Sequence, residues 1–161
     1  MNKIFLDDKT VAGGPKVATI GFFDGVHRGH QYLISQVTAE ARRRGMESAV
    51  ITFDRHPRQV LAQDYQPKLI STLDEKLILL SRTGIDNAVV LHFDEAMASL
   101  SAREFMEKVL LGRLNVRTLI IGYDNRFGHD RREGFDDYVR IGREIGIEVL
   151  RSQAFTLDGV N

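Results

Sequence analysis

Apolar and β-branched residues recur along the chain in short runs that follow amphipathic, glycine-terminated stretches. The runs AVITF, AVVLHF and TLIIGY are apolar at consecutive positions rather than at alternate ones. Consecutive apolar positions are typical of strands that are covered by helices on both faces. The pattern therefore predicts strands at residues 17–22, 48–53, 87–92, 117–122 and 147–151.

The stretches between these strands carry helix-boundary signals. The spacing of Ser101 and Glu104, and of Thr72 and Glu75, is that of capping boxes, which begin helices. Glycines follow the helical stretches where a helix often ends on a left-handed residue: Gly45, Gly84, Gly112 and Gly146. Strands that alternate with helices predict a doubly wound, Rossmann-like α/β fold, with a five-stranded parallel sheet and helices on both faces.

Composition and charge narrow the class of protein. Of the 161 residues, 43% are hydrophobic and 27% are charged, as in ordinary globular proteins. The 22 basic residues balance the 22 acidic ones, which argues against a nucleic-acid partner or an anionic membrane surface. The absence of cysteine excludes disulfides and thiolate chemistry. Neither a signal peptide nor a membrane-spanning run is present, so we expect one cytoplasmic domain over residues 1–161.

Candidate functional residues cluster at the carboxyl ends of the predicted strands. Ligands of doubly wound proteins bind outside the carboxyl ends of the strands. All five histidines fall at this edge or in its loops: His27, His30, His56, His92 and His129. We therefore expect the functional site at this edge, with a structural role for His92.

The segment TIGFFDGVHRGHQ leads from the first predicted strand into a helix. Gly21 and Gly25 allow a sharp turn, and Gly29 leaves one position of the first helical turn without a side chain, so that a ligand can approach the backbone. Free backbone amides and the positive end of the helix dipole attract an anion at such a place. His27 and His30, three residues apart, would lie on one side of this turn and add donors. A phosphate chain is the anion that best fits this surface.

Two other interpretations of the histidine pair stay open at this point. The rings could bind a metal ion, with Asp24 or His56 as a further ligand. They could also be ordinary capping or surface histidines. The fingerprint G-x-G-x-x-G and the P-loop motif are both absent, which argues against a hydride-transfer enzyme and a P-loop kinase.

Four segments of the chain resemble a known family. GFFDGVHRGHQ is similar to the H-x-G-H signature of nucleotidyltransferases, in the form found in the FMN adenylyltransferase module of prokaryotic bifunctional riboflavin kinase/FAD synthetases. TFDRHPRQVL resembles that family's T-F-x-P-H-P segment. LISTLDEKLILL and FDEAMASLSAREF resemble its following helix and loop, and IIGYDNRFGHDRREG resembles its G-x-D/N-F-x-F-G loop. The similarity covers nearly the whole chain.

The chain departs from the family pattern at three positions and at its end. Phe22 stands where asparagine or a small residue is frequent, Arg55 where proline is common, and Asn125 where an aromatic residue is usual. The chain ends at Asn161, before the family's I-S-S-T-x-x-R motif, whose arginine binds ATP phosphate, and before its β-barrel riboflavin kinase module. We expect that kinase module in the parent protein and not in this chain.

The resemblance implies adenylyl transfer from ATP to FMN, giving FAD and pyrophosphate, with Mg²⁺ bridging the phosphates and no metal site built by the protein. It implies that His27 and His30 are catalytic. The implied ATP-binding residues are Gly21, Phe22, Phe23, Asp24, Gly25, Gly29, Asp124 and Arg126. The implied FMN-binding residues are Phe53, His56, Pro57, Arg58 and Phe127.

Other interpretations of these residues, and of the chain as a whole, stay open. The rings of Phe53 and Phe127 could simply cap the core, and Arg58 could be a solvated surface charge. The chain could also be a transferase for a different phosphate acceptor. Finally, it could be a nucleotide- or flavin-binding module without turnover.

Overall fold

The apolar runs of the sequence form the strands of one parallel sheet. A computed structural model of the protein describes residues 1–6, 13–54, 72–122 and 134–153. Within these residues the strands are β1 (Asn2–Phe5), β2 (Lys16–Ile20), β3 (Glu47–Phe53), β4 (Asn87–Leu91), β5 (Val116–Ile121) and β6 (Glu148–Arg151). They lie in the order β1-β4-β3-β2-β5-β6, and every pair of neighbours is parallel.

The five predicted strands are confirmed as β2 to β6, with ends displaced by at most two residues. β1 is an additional strand, so the prediction of a five-stranded sheet is corrected to six. Its sequence, NKIF, is too short to show a periodicity, and most of it is exposed. It becomes a strand by pairing with β4, from Asn2 opposite Asn87 to Phe5 opposite Val90. That contact joins positions far apart in the sequence, which local patterning does not reveal.

Helices cover both faces of the sheet. In the described residues they are α1 (Arg28–Arg44), α2 (Leu73–Ser81), α3 (Glu95–Ala98), α4 (Ala102–Glu104) and α5 (Phe135–Ile145). α4 continues into a π-helical segment, Phe105–Arg113. One core cluster packs α1 and α2 on the sheet through Ile34 and Leu77, and the other packs the π-helical segment and α5 through Met106 and Tyr138. The doubly wound α/β fold is confirmed. None of these described helices is long and apolar enough to cross a membrane.

Local signals set the helix boundaries, with one exception. Both predicted capping boxes form, at Thr72 and at Ser101. Three of the predicted glycines have a positive φ: Gly45, Gly84 and Gly146. The prediction for Gly112 is wrong, because the π-helical segment extends through it to Arg113. The left-handed residue after this helix is Asn115, with φ 55°.

The strand order places a topological switch beside β2. β3 pairs with one edge of β2, whereas β5 returns to its opposite edge. The segment after β2 leads to α1 on one face, and the segment after β5 leads to α5 on the other. The crevice between two such diverging connections is where doubly wound proteins bind ligands. The predicted histidine site therefore lies at the switch point.

Candidate functional site

α1 begins, just after β2, with two histidines that cap each other. His27 is the N-cap residue, and its Nδ1 accepts a hydrogen bond of 3.3 Å from the backbone N–H of His30. The Nδ1 of His30 accepts one of 3.2 Å from the backbone N–H of His27. The two rings stack with centroids 3.4 Å apart. The structure thus brings together the two predicted catalytic side chains, and they also form the helix cap that was an alternative interpretation.

The reciprocal cap determines the tautomer of each neutral imidazole. A ring nitrogen that accepts a hydrogen bond carries no proton, so the proton of each neutral ring lies on Nε2. The two Nε2–H groups are therefore donors that the cap itself does not use. Protonation of Nδ1 on either ring would remove an acceptor and open the cap.

His30 lies in an environment that favours its neutral form. Its pKa is lowered from 6.5 to about 4, first by burial and then by the adjacent His27, while Asp24 acts in the opposite direction. Phe23, only 5% exposed, packs edge-on against this imidazole with ring centroids 5.1 Å apart. His30 is consequently a neutral hydrogen-bond donor near pH 7.

The first turn of α1 offers two further donors. Among the described residues, no acceptor contacts the backbone N–H of Arg28 or Gly29, whereas that of His30 is already used by His27. A Cβ at Gly29 would lie 3.1 Å from Cε1 of His27. The bare position predicted at Gly29 thus accommodates the His27 ring, and the expectation of free amides applies to Arg28 and Gly29 only.

The turn into α1 contains three residues with positive φ. Gly25 has φ 74°, as expected of a glycine placed for a sharp turn, but Phe23 and Val26 also have φ 57° and 43°. Side chains with a Cβ rarely adopt this conformation, and a β-branched residue least of all. Both side chains are buried, which holds the turn in place. Gly21 is not among the glycines with positive φ, and a Cβ there would lie 3.0 Å from the Phe23 ring, so the glycine leaves room for that ring.

Lys76 of α2 is a candidate functional residue that the sequence analysis missed. Its side chain is buried, and its Nζ donates hydrogen bonds to the carbonyl oxygens of Phe22 and Phe53 and to Oγ1 of Thr52. Nζ also lies 3.8 Å from the centroid of the Phe22 ring. The available signal was the helical spacing of Leu73, Lys76, Leu77 and Leu80, which puts a lysine on the apolar face of α2.

Asp54 and His92 form a pair at the ends of β3 and β4. Oδ2 of Asp54 lies 2.5 Å from Nδ1 of His92, and Oδ1 accepts a hydrogen bond of 3.2 Å from the backbone N–H of Phe93. The nearby Phe53 is buried and packs edge-on against Phe93, with ring centroids 5.2 Å apart. The ring of Phe53 thus lies in the core, as its alternative interpretation proposed.

The metal alternative for the histidine pair has no ligand set in the described residues. No three side chains of the ligating types lie close enough there to hold an ion. Both Nδ1 atoms are occupied by backbone N–H groups. His56, one of the further ligands considered, lies outside the described residues.

Several residues named in the sequence analysis lie outside the described part of the chain. The residues outside the described ranges are Arg55, His56, Pro57, Arg58, Asp124, Asn125, Arg126, Phe127 and His129. Their roles stay predictions.

Fold and site together define a doubly wound α/β protein in which a helix capped by two histidines begins at the topological switch point. The family model of FAD synthetase matches residues 10–161. The chain belongs to the FAD synthetase family.

Curated relatives from several bacteria are similar over most of the chain. It is 37% identical over 144 residues to the bifunctional riboflavin kinase/FMN adenylyltransferase of Escherichia coli (strain K12), covering 89% of this chain and 46% of that protein. It is 39% identical over 113 residues to the Bacillus subtilis (strain 168) protein of the same name, covering 70% and 35%. The chain therefore spans less than half the length of these relatives.

A solved structure supports the fold over the whole chain. The crystal structure described as a macrolide-efflux protein from Streptococcus pneumoniae matches with a TM-score of 0.83 and 26% identity. The match covers 100% of this chain and 54% of that one. It agrees with the α/β architecture described above.

Proposed function

We propose that this chain transfers the adenylyl group of ATP to FMN, giving FAD and pyrophosphate, and that the start of α1 binds the triphosphate. The observation that carries the proposal is the mutual cap of His27 and His30, which leaves imidazole donors beside two open backbone amides. Membership of the FAD synthetase family supports the flavin product. The names of the relatives supply FMN as the acceptor.

The reaction needs no nucleophile from the protein. An oxygen of the FMN phosphate attacks the α-phosphorus of ATP in line and forms a new P–O bond. The bond from the α-phosphorus to the bridging oxygen breaks, and its electron pair leaves with pyrophosphate. Catalysis then depends on positioning two anionic substrates and on stabilising the charge that develops on the leaving group.

The donors at the start of α1 suit that task. The Nε2–H groups of His27 and His30, with the amides of Arg28 and Gly29, can donate to phosphate oxygens, and the neutral His30 ring does so without carrying a net charge. Neutral, oriented donors cost little reorganisation when negative charge moves toward the pyrophosphate. The segment of Phe22, Phe23, Asp24 and Gly25 leads directly into this turn and would border the nucleotide.

The remaining assignments follow the family resemblance. Asp124 and Arg126, which follow β5 in the sequence, would complete the ATP site from across the switch point. The FMN side would be formed by the end of β3 and the segment after it, with Phe127: Phe53, His56, Pro57, Arg58 and Phe127.

Mg²⁺ belongs to the proposal as the companion of the ATP phosphates. Mg²⁺ in nucleotide sites keeps several waters and is held largely by substrate phosphates rather than by a protein cage. Bound in this way, the ion would neutralise charge on the phosphates.

The parent protein is proposed to extend beyond this domain. The relatives are named for two activities, and the chain covers less than half of each of them. We infer that residues 1–161 form the adenylyltransferase domain and that a riboflavin kinase module lies elsewhere in the parent protein. The small, phosphorylated substrates suit a cytoplasmic enzyme with no nucleic-acid or membrane partner.

Incubation of the chain with ATP, FMN and Mg²⁺ tests the proposed reaction. We expect FAD in the chromatogram and an equal amount of pyrophosphate. Quenching of flavin fluorescence without pyrophosphate release would instead indicate a binding module, and turnover with another phosphate monoester but not FMN would indicate a different transferase. A chain extended past Asn161 into the I-S-S-T-x-x-R region provides the comparison for full activity.

A further inference from the structure

Lys76 is a buried cation at the carboxyl edge of the sheet. Its side chain is 2% exposed, and its Nζ lies 2.9 Å from the Phe22 carbonyl oxygen, 3.0 Å from Oγ1 of Thr52 and 3.3 Å from the Phe53 carbonyl oxygen. An ammonium group has three N–H donors. All of them are therefore directed to the protein, and Lys76 has none to give to a substrate.

The three acceptors belong to two different parts of the proposed site. The Phe22 carbonyl lies in the segment between β2 and α1, on the ATP side. Thr52 and Phe53 are the last residues of β3, which leads to the segment proposed for FMN. Thr52 also donates a hydrogen bond of 2.8 Å to the Phe22 carbonyl, so lysine and threonine meet on the same oxygen. Lys76 thus joins the ATP side of the site to the FMN side.

Packing alone does not account for a lysine at this position. A buried ammonium group loses its hydration, and an apolar side chain of similar length would fill the space without that cost. Burial lowers the pKa of Lys76 to about 8, while the nearby Asp24 and Asp54 act in the opposite direction and favour its protonated form. Unlike an apolar side chain, the ammonium group donates three directed hydrogen bonds, to two backbone carbonyl oxygens and one hydroxyl.

We propose that Lys76 is a positioning residue for adenylyl transfer, fixing the distance between the segment after β2 and the end of β3 so that the FMN phosphate meets the α-phosphorus of ATP in line. The inference rests on the proposed function and deepens it. A small error in the alignment of two reacting groups lowers the rate strongly, while each substrate still contacts its own side of the site.

Lys16 supplies a matched control within the same chain. It is also buried, at 1% exposure, and its Nζ donates to the carbonyl oxygens of Gly14 and Leu114, both at 3.1 Å. It begins β2 and therefore lies at the opposite end of that strand from the proposed site. Lys16→Met and Lys76→Met remove the same kind of buried, carbonyl-bound ammonium group from the two ends of one sheet.

The test measures kcat, both KM values and the unfolding temperature for the wild type and the two variants. For Lys76→Met we expect kcat to fall by about ten-fold or more, with both KM values within about three-fold of wild type. For Lys16→Met we expect a kcat within about two-fold of wild type, whatever its unfolding temperature.

Three results would overturn the inference. They are an unchanged kcat in Lys76→Met, a loss carried entirely by KM, or an equal loss of kcat in Lys16→Met. If Lys76→Met does not fold, Thr52→Val decides, because it removes one anchor of the ammonium group and one bond to the Phe22 carbonyl. A kcat that drops about three-fold or more supports positioning, and an unchanged kcat contradicts it. A wild-type chain that forms no FAD refutes the proposed function itself, which is a different outcome.

Discussion

At the scale of single residues, the two imidazoles at the start of α1 would combine two functions in the proposed site. Each Nδ1 closes the helix cap, and each Nε2–H remains for a ligand. The cap therefore orients the donors, since a ring that rotates away loses its bond to the backbone. This coupling means that an alanine variant tests the cap and the donor together.

Replacement of either histidine should slow adenylyl transfer. We expect His27→Ala or His30→Ala to lower kcat/KM at least ten-fold, which corresponds to about 1.4 kcal/mol of transition-state stabilisation. His27→Ser and His30→Gln keep a capping acceptor but lose the imidazole donor. They should show the same defect with a smaller loss of stability.

His92→Ala is the control for this series. The side chain of His92 is 57% exposed and pairs with Asp54, and it follows β4, which β3 separates from the strand that leads to α1. We expect its kcat/KM to stay within about two-fold of wild type. Full activity in both His27→Ser and His30→Gln would remove the imidazoles from the mechanism.

The lowered pKa of His30 predicts a pH dependence of stability. The folded state takes up the His30 proton only near pH 4, whereas the unfolded chain takes it up near 6.5. Between these values the unfolded state binds more protons, so the stability contributed above pH 6.5 is lost as the pH falls toward 4.

Urea denaturation of wild type and His30→Gln from pH 7 to 4 measures this effect. The carboxylates are common to both proteins, so the difference between the two curves reports His30 together with its coupling to His27. The wild type should lose more stability than His30→Gln on acidification. Parallel curves would show that the folded protein does not suppress protonation of this ring.

At the scale of elements, close packing at helix ends keeps the helices in register with the strands. Gly142 lies in α5, and a Cβ there would come within 2.3 Å of the Ile147 carbonyl oxygen and 3.0 Å of Cγ2 of Val149. Both neighbours belong to the turn and strand that follow α5. The glycine therefore lets the end of α5 approach β6.

Gly142→Ala should destabilise the fold. The obstructing atom is a backbone carbonyl oxygen, so α5 must shift, and overpacking of this kind costs about 1–3 kcal/mol. The gain in helix propensity, roughly 1 kcal/mol, opposes this only in part. Gly13→Ala, at a position with nothing within 4 Å, should leave the unfolding free energy nearly unchanged. A Gly142→Ala protein as stable as wild type would contradict the close approach.

At the scale of the whole molecule, the sheet brings the segments of the proposed site to one edge. β2 and β5 are neighbours, and the described helices that come after them in the chain, α1 and α5, lie on opposite faces of the sheet. Beside β2, the end of β3 is tied to the segment before α1 through Lys76 and Thr52. Binding of a polyanion at this edge should therefore stabilise the entire fold.

Inorganic tripolyphosphate tests the anion site without the rest of the nucleotide. A ligand present at 100 times its Kd adds about 2.7 kcal/mol to stability. For a domain of this size, each kcal/mol raises Tm by roughly 2–4 °C. We expect tripolyphosphate and ATP to raise Tm, and adenosine to have little effect.

The same measurement on a His27→Ser/His30→Gln double variant gives the control, with sulfate at matched ionic strength as the salt reference. The shift caused by tripolyphosphate should shrink in the double variant. An equal shift in both proteins would place the anion elsewhere than at the start of α1.

The sequence by itself determined the features that depend on neighbouring residues. Apolar runs located β2 to β6, capping boxes located the starts of α2 and α4, and Gly45 and Gly146 located the ends of α1 and α5, whereas α2 ends with its C-cap at Arg82, two residues before the left-handed Gly84. The spacing of His27 and His30 was enough to put both on the first turn of α1, because one helical turn fixes their geometry.

Tertiary structure alone decided the features that join distant segments. β1 forms by pairing with β4. The proposed function of Lys76 depends on its hydrogen bonds to carbonyl oxygens 23 and 54 residues away in the sequence. The burial of Phe53 and the pairing of Asp54 with His92 have the same origin. Periodicity shows which side of an element is apolar, but it does not show which partner covers that side, because the partner is chosen by the packing of the whole chain.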